Sequence, residues 1–532
     1  MKHFDNFGVM IDMSRNAVMS MDGLKRFLPL LKKMGYNCVM LYTEDTYEVD
    51  GEPYFGYMRG RYTKAEMKEI DRYAESMGIH IIPCIQTLAH LKTSFRWKQV
   101  PVDCDNILLT DDERTYELID HMFSTLSECF HSRLVHIGMD EAHMLGRGKH
   151  LDLHGYQPVH EIMKRHLNRV TEIAKKYDYE LMIWSDMFFR PWNDGKYTIP
   201  KCEMPQEVIK SLPETVTPVY WDYYRTDEQS YSDMIENHKQ LSKKTWFAGG
   251  VWSWYGMIPF NRFSIQSMVL ALNACRKHKI RNAFMTMWEE YGAECSHFSQ
   301  LPALFYLAEY AKGNTDEAKI KEKFKRFCGI EFDDFMKIDS PNDVVEYTGR
   351  PRNPSKYMLF SDYFNDFLDY TVKPGAGEKY REYANELHRI AKQSRRYGYV
   401  FDAAAKLCDV LEIKYELGLR TRRAYEAGDL EELRRLAETD YVVVAKRINL
   451  YGRALEKQWM ADNKPHGFDV QDLRIGGLLR RTESCRRRIL DYVNGRIDRI
   501  DELDEALLPY EEKEQSTALV RWHQAVTANV IE

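Results

Sequence analysis

Two acidic residues side by side, Asp140 and Glu141, follow the apolar stretch Val135-His136-Ile137-Gly138-Met139 and precede Ala142-His143. Adjacent carboxylates resist being ionised together, so the pKa of one of them rises. That leaves a proton donor and a carboxylate near neutral pH, the division of work that cleaves a glycosidic bond. An ordinary retaining glycosidase takes its acid and its nucleophile from separate positions about 5–5.5 Å apart. A tandem pair suits another arrangement, in which Glu141 protonates the leaving oxygen and Asp140 orients a group of the substrate itself. Neighbouring residues of a strand point to opposite faces. Both acids therefore reach one pocket only where the strand ends and the backbone turns, which in a parallel α/β protein is the carboxyl edge of the sheet.

Stepping outward to the elements that must hold such a pair, short apolar runs alternate with amphipathic segments. The runs predict strands at 7–13, 37–42, 80–85, 134–138, 181–185, 217–222, 245–249 and 281–288. Apolar residues at helical period predict helices at 21–34, 64–77, 111–130, 159–176, 203–212, 228–242, 264–278 and 298–311. Gly35 and Gly78 stand where helix-ending glycines belong. Eight strand-then-helix units in about 310 residues are the pattern of an α/β fold, a (β/α)8 TIM barrel, assigned to residues 1–313. A doubly wound open sheet is the alternative, but no Gly-rich phosphate fingerprint follows an early strand. Beyond 314 the rhythm changes: Pro341, Pro351 and Pro354 intervene, then long charged helices take over. Tyr383, Leu387, Ile390 and Ala391 give one of these an apolar stripe, so residues 314–532 are expected to form an all-α domain. The stretch Lys464 to Phe468 breaks the periodicity and reads as a structural corner or as a loop reaching a barrel mouth.

A barrel gathers its strand ends at one mouth. In order they read Asp12-Met13-Ser14-Arg15, Thr43-Glu44-Asp45, Gln86-Thr87-Leu88-Ala89-His90, Asp140-Glu141, Trp184-Ser185-Asp186, Tyr220-Trp221-Asp222-Tyr223-Tyr224, Val251-Trp252-Ser253-Trp254 and Trp288-Glu289-Glu290. Tryptophan recurs at the last four ends, as Trp184, Trp221, Trp252 with Trp254, and Trp288. Sugar rings present apolar C–H faces bordered by hydroxyls, and flat aromatics with a few charged groups complement them. His136, inside a strand, reads as structural. His136, Asp140 and His143 have no second His or Cys cluster to complete a metal site, so neither a metal nor a cofactor is expected.

Bulk properties narrow the class further. At 532 residues the chain is long enough for more than one domain. A formal net charge of −6 lacks the basic footprint that nucleic acid or an anionic membrane surface requires of its partner. No run of about 18 apolar residues predicts a membrane span, and Met1-Lys2-His3-Phe4-Asp5 lacks the apolar core of a signal peptide. Ten scattered cysteines without a CxxC suggest a reducing cytoplasm.

Taken together these positions resemble a known family. His136-Ile137-Gly138-Met139-Asp140-Glu141 is similar to the His-x-Gly-x-Asp-Glu motif of glycoside hydrolase family 20, the exo-β-N-acetylhexosaminidases. Asp12-x-x-Arg15, Thr43-Glu44-Asp45, Tyr62-Thr63, His90 and Trp288-x-Glu290 agree with it in order, over roughly residues 7–310. Ala142 to Gly148 and the helical C-terminal half resemble the family's intracellular bacterial subgroup.

The resemblance implies substrate-assisted retention on a terminal β-linked GlcNAc or GalNAc. The substrate's 2-acetamido oxygen attacks the anomeric carbon, and water opens the oxazolinium-type intermediate. It implies that Asp140 holds the acetamido N–H, that Glu141 acts as acid and then base, and that Arg15 binds the O3 and O4 hydroxyls. Trp288 would stack under the sugar, Glu290 would take O4 or O6, and His90, backed by Asp45, would tune Glu141. Family members commonly carry Tyr-x-Asp after strand seven, where this chain has Trp252-Ser253-Trp254; its Tyr-Trp-Asp-Tyr run follows strand six. Alternation puts Trp221 and Tyr223 on one face, which favours Tyr223 over Tyr220 and Tyr224 as the acetamido partner. The expected partner is thus an oligosaccharide ending in N-acetylhexosamine, with a homodimer through the striped helices left open. Two alternatives stand beside this: a retaining glycosidase with Asp186 or Asp222 as nucleophile, and a non-catalytic amino-sugar binder.

Overall fold

The structure is a computed structural model that describes residues 3–346, 349–508 and 520–531. Eight parallel strands form a closed barrel: β1 (Asn6–Asp12), β2 (Cys38–Glu44), β3 (His80–Ile85), β4 (Leu134–His136), β5 (Glu180–Trp184), β6 (Val216–Trp221), β7 (Trp246–Gly250) and β8 (Asn282–Met287). Each pairs with its sequence neighbours and β8 closes on β1, with Val9 opposite both Val39 and Met285. Strands covered on both faces need no polar side, and every residue of β2 is buried.

Local chemistry sets the bounds of the helices between the strands. Helix α1 (Met21–Met34) starts where the Ser20 side chain accepts the Gly23 amide and stops at Gly35, whose φ of 97° an L side chain would resist. Helix α2 (Lys64–Ser76) opens with a capping box between Thr63 and Glu66. Tyr62, part of the family-like Tyr-Thr pair, is buried and donates its hydroxyl to Met19 O at 2.5 Å; this pair builds the scaffold. Helices α3 (Glu113–Cys129) and α4 (Val159–Lys175) follow β3 and β4. After β5 the chain makes two 3-10 turns, Asp186–Phe188 and Arg190–Trp192, and only a four-residue helix, Gln206–Ile209. The longer helix expected at 203–212 is cut at one end by Pro205 and at the other by Pro213. Helices α5 (Glu228–Leu241), α6 (Asn261–Lys277) and α7 (Leu301–Ala311) complete the alternation.

The chain divides into two compact units. The first comprises Met1–Val251, Ser264–Trp288 and Ala303–Thr315; the second comprises Trp252–Phe263, Glu289–Pro302 and Asp316–Glu532. The segments that leave β7 and β8 thus group with the C-terminal residues.

Among its described residues the second unit is helical, built on α8 (Ala376–Gln393), α9 (Gly398–Glu426), α10 (Tyr441–Asp462) and α11 (Phe468–Val493). On α8 the buried stripe is Tyr380, Ala384, Leu387 and Ile390, so the apolar face is rotated by about one position from the expected one, and Tyr383 and Ala391 lie at its margin. Cations inside this unit satisfy carbonyls that no helix bond reaches: the Lys414 amine donates to Met358 O at 3.0 Å and Ser361 O at 2.7 Å. Lys464 to Gly467 is the corner joining α10 to α11, fixed by the Trp459 indole donating to Lys464 O at 2.9 Å. No helix among the described residues is long and apolar enough to cross a membrane.

Candidate active site

Asp140 and Glu141 lie four and five residues past the end of β4. The ladder runs out after Ile137, whose amide still donates to Met182 O at 2.9 Å. Gly138, Met139 and Glu141 then take left-handed conformations, with φ of 70°, 69° and 52°. Non-glycine residues in this region are uncommon and cluster at functional sites. The kink is what lets two sequence neighbours both approach the His90 ring.

Gln86, just beyond β3, is the bracket for this kink. Its Oε1 accepts the Met139 amide at 3.1 Å, while its Nε2 donates to Asp140 Oδ1 at 2.8 Å and to the Tyr42 hydroxyl at 3.0 Å. Gly138 makes room for it: a Cβ there would stand 2.0 Å from Gln86 Oε1. The other Asp140 oxygen lies 3.3 Å from His90 Nε2, and the same nitrogen is 3.9 Å from Glu141 Oε2.

The electrostatics of the pair are unequal. Burial opposes charge on Asp140, but the cation of His90 and the Gln86 amide prevail and hold its pKa below the usual carboxylate range. Glu141 is shifted the other way, raised by burial and then by the charges of Asp140 and Asp186. Burial also works against the charge on His90, yet Asp140 and Glu44 raise it to about 9. One carboxylate is thus kept ionised and its neighbour biased towards carrying a proton.

Arg15 is held as a fork on Glu44, Nη2 to Oε1 at 2.9 Å and Nη1 to Oε2 at 3.2 Å. The Tyr42 hydroxyl also donates to Glu44 at 2.9 Å, so Arg15, Glu44, Tyr42, Gln86 and Asp140 form one chain of contacts. Burial raises the Glu44 pKa to about 7 against the opposing charges of Arg15 and His90. Asp45, expected behind His90, serves a different purpose: it accepts from Arg59 Nε at 3.1 Å, Thr93 at 2.9 Å and Ser94 at 3.3 Å, tying neighbouring loops together.

The aromatic residues divide into groups. Trp288 meets Tyr42 edge-on at 4.8 Å and Trp184 at 6.0 Å. Trp184 is 1% exposed and leans on His136 at 4.3 Å. His136 is structural as expected: its Nδ1 accepts the Gly138 amide at 3.1 Å, and burial lowers its pKa to about 3, keeping it neutral. Trp221 and Tyr223 share a face and stack at 5.7 Å, while the Tyr220 hydroxyl turns to Asp222 at 3.3 Å. Gly250 on β7 makes room for Tyr223, since a Cβ there would sit 2.8 Å from that ring. Trp252 and Trp254 belong to the second unit, where they stack on each other at 4.5 Å and Trp252 is wholly buried against Phe260 and Phe263. Glu290 lies in the same unit and is partly exposed, whereas Glu289 is buried 3.0 Å from His297.

Asp186 and Asp222, the alternative nucleophiles, are both buried in ion pairs, with Arg190 at 3.0 Å and Arg225 at 2.9 Å. His90, Asp140 and Glu141 offer three donor atoms within 4.8 Å of one another. His90 stands between the two carboxylates, and a metal there would have to displace the proton that Asp140 and Glu44 favour on its imidazole. A second group joins buried Asp71 and exposed Glu75 of α2 to exposed His131 just before β4.

Sequence reasoning named Arg15, His90, Asp140 and Glu141, which the structure brings together with Trp184 and Trp288. Glu44 and Gln86 stood among the residues at the strand ends without a role, and Tyr42 and Arg190 were not among the site candidates. Tyr42 and Glu44 share a strand face two residues apart, a signal that was available; the reach of Gln86 and Arg190 comes from backbone turns that no periodicity encodes.

An acid pair with opposite pKa shifts at the carboxyl edge of a closed (β/α)8 barrel, beside a braced arginine and an indole cluster, is the equipment of a glycosidase. Residues 4–239 match the family model "Glycosyl hydrolase family 20, catalytic domain", and residues 333–522 match "Glycoside Hydrolase 20C C-terminal domain". The chain belongs to glycoside hydrolase family 20, a family of hydrolases. It is similar to hexosaminidase D of Bos taurus, 21% identical over 336 residues that cover 58% of this chain and 92% of the relative. Human hexosaminidase D is 22% identical over 213 residues, covering 38% of this chain and 41% of that protein. Among solved structures, an exo β-N-acetylglucosaminidase of Vibrio harveyi in complex with N-acetylglucosamine is 16% identical with a TM-score of 0.48, covering 63% of this chain and 58% of that one. The N-acetyl-β-hexosaminidase of Streptomyces plicatus is 19% identical with a TM-score of 0.46, covering 63% and 69%.

Proposed function

We propose that the protein is an exo-β-N-acetylhexosaminidase that removes terminal β-linked GlcNAc or GalNAc from oligosaccharides or glycoconjugates. The observation that carries this is the opposite tuning of Asp140 and Glu141, one held ionised by His90 and Gln86 and the other pushed towards its protonated form. Glu141, with a side chain 40% exposed, protonates the leaving oxygen and afterwards takes a proton from water. Asp140, held by Gln86 and His90, accepts the acetamido N–H and stabilises the positive charge that develops as the acetamido oxygen attacks. Arg15, held by Glu44, meets the ring hydroxyls. Trp288, backed by Trp184, forms the apolar floor, and Trp221 and Tyr223 flank the acetamido group.

The match of the C-terminal half to the 20C model supports the intracellular bacterial subgroup, and ten free thiols accord with a cytoplasmic protein. The similarity to hexosaminidase D supports the amino-sugar substrate. The test is turnover of an aryl N-acetyl-β-glucosaminide by the wild type and by Glu141→Gln. Loss of about 10²-fold or more in kcat for the variant is expected; full turnover would remove Glu141 from its role and leave the amino-sugar binder as the better reading.

A further inference from the structure

Behind Glu141 stands a pair of residues that the reaction as described leaves without a task. Asp186, wholly buried at the end of β5, accepts the Glu141 backbone amide at Oδ2 (3.0 Å) and Arg190 Nε at the same oxygen (3.0 Å). Arg190 lies one helical turn further on, with its Nη1 donating to Gly195 O at 3.0 Å and its guanidinium 5.8 Å from the Tyr197 ring. Its remaining nitrogen, Nη2, is 3.5 Å from Glu141 Oε1. Glu141 sits at a φ of 52°, a conformation that persists only where its surroundings enforce it.

We propose that Asp186 and Arg190 are the positioning residues of Glu141, Asp186 fixing its backbone in the left-handed turn and Arg190 aiming its carboxyl group. The proposal rests on the reading of Glu141 as proton donor. The pair explains why two further charges are retained beside an acid that must stay protonated. Asp186 raises the Glu141 pKa and Arg190 lowers it, so together they orient the carboxyl group with opposed effects on its proton. A buried Asp186 alone would be costly, and Arg190 is the charge that compensates it. The ionisable groups facing Glu141 are Asp140, His90, Asp186 and Arg190; His143, two residues on, faces Arg190 and His90.

The experiment is the pH profile of kcat and kcat/KM for Asp186→Asn, Arg190→Gln and Arg190→Lys. Activity needs protonated Glu141 and fades as pH rises through its pKa, so the basic limb of kcat/KM reports that group. Removing the cation in Arg190→Gln moves that limb to higher pH; removing the anion in Asp186→Asn moves it to lower pH. Both lower kcat about tenfold or more, with KM within about threefold. Arg190→Lys keeps the charge but loses the fork, so its limb stays near the wild type's while kcat falls. Folding of each variant is checked by circular dichroism. Carbon-13 NMR titration of Glu141, assigned with Glu141→Gln, reads the same shifts without turnover. A Glu141 pKa that does not move in folded Arg190→Gln, or limbs that move the same way in Arg190→Gln and Asp186→Asn, overturns the proposal. A wild type that fails to cleave the aryl N-acetyl-β-glucosaminide while these titration shifts are present overturns the substrate reading alone.

Discussion

Gln86 Nε2 donates to Asp140 Oδ1 at 2.8 Å while Gln86 Oε1 accepts the Met139 amide at 3.1 Å, so one side chain fixes both the acid and the turn that presents it. Gln86→Leu removes both bonds. A hydrogen bond to a charged group contributes about 1.5–3 kcal/mol, so kcat is expected to fall about 10–100-fold, measured on an aryl N-acetyl-β-glucosaminide. An unchanged kcat would show that Asp140 keeps its place without Gln86.

Gly138 has no side chain because Gln86 occupies that space. Gly138→Ala adds a methyl group at a φ of 70° and 2.0 Å from Gln86 Oε1. The expected cost is about 1–3 kcal/mol in chemical denaturation, together with loss of activity. Gly250→Ala presses on the base of the buried Tyr223 side chain from β7; it should raise KM and also cost about 1–3 kcal/mol of stability.

His90 gives a stability signature with a defined sign. Its pKa is raised from 6.5 to about 9, so its contribution is fully present below about 6.5 and is lost as pH rises through about 9. The stability gap between the wild type and His90→Gln, read by denaturant titration, should therefore narrow across that window by an amount on the order of 2–3 kcal/mol. A gap that widens with pH would mean that His90 is neutral beside Asp140.

Glu44 predicts a separate effect on substrate binding. With a pKa of about 7 it gains a proton as pH falls through neutrality and releases its charge from Arg15. KM should rise on that acid side, and Glu44→Gln should show the high KM at every pH. A Glu44→Gln enzyme with the KM of the wild type at pH 8 would separate Arg15 from sugar binding.

Much of this was legible in the sequence. The eight strands and the bounds of α1 and α2 followed from apolar periodicity, Gly35 and Gly78, because helix-ending glycines and core faces are local signals. Trp221 and Tyr223 sharing a face followed from strand alternation. Other features depend on tertiary reach: Asp45 bonds to Arg59, Thr93 and Ser94 instead of backing His90, and Arg190 reaches Glu141 from a 3-10 turn in a stretch with no predicted element. The stripe on α8 was misplaced by about one position, since Tyr380 and Ala384 carry the burial that composition gave to Tyr383 and Ala391.

In the proposed reaction Asp140 serves the substrate's own acetamido group and is not itself a nucleophile. Wild-type turnover of two aryl glycosides differing only at C2, the N-acetyl-β-glucosaminide and the plain β-glucoside, tests it most directly. The expected result is cleavage of the first and at least about 10³-fold lower kcat/KM on the second, because the glucoside lacks the attacking oxygen. Comparable cleavage of the glucoside would contradict the account and require an enzyme carboxylate as nucleophile.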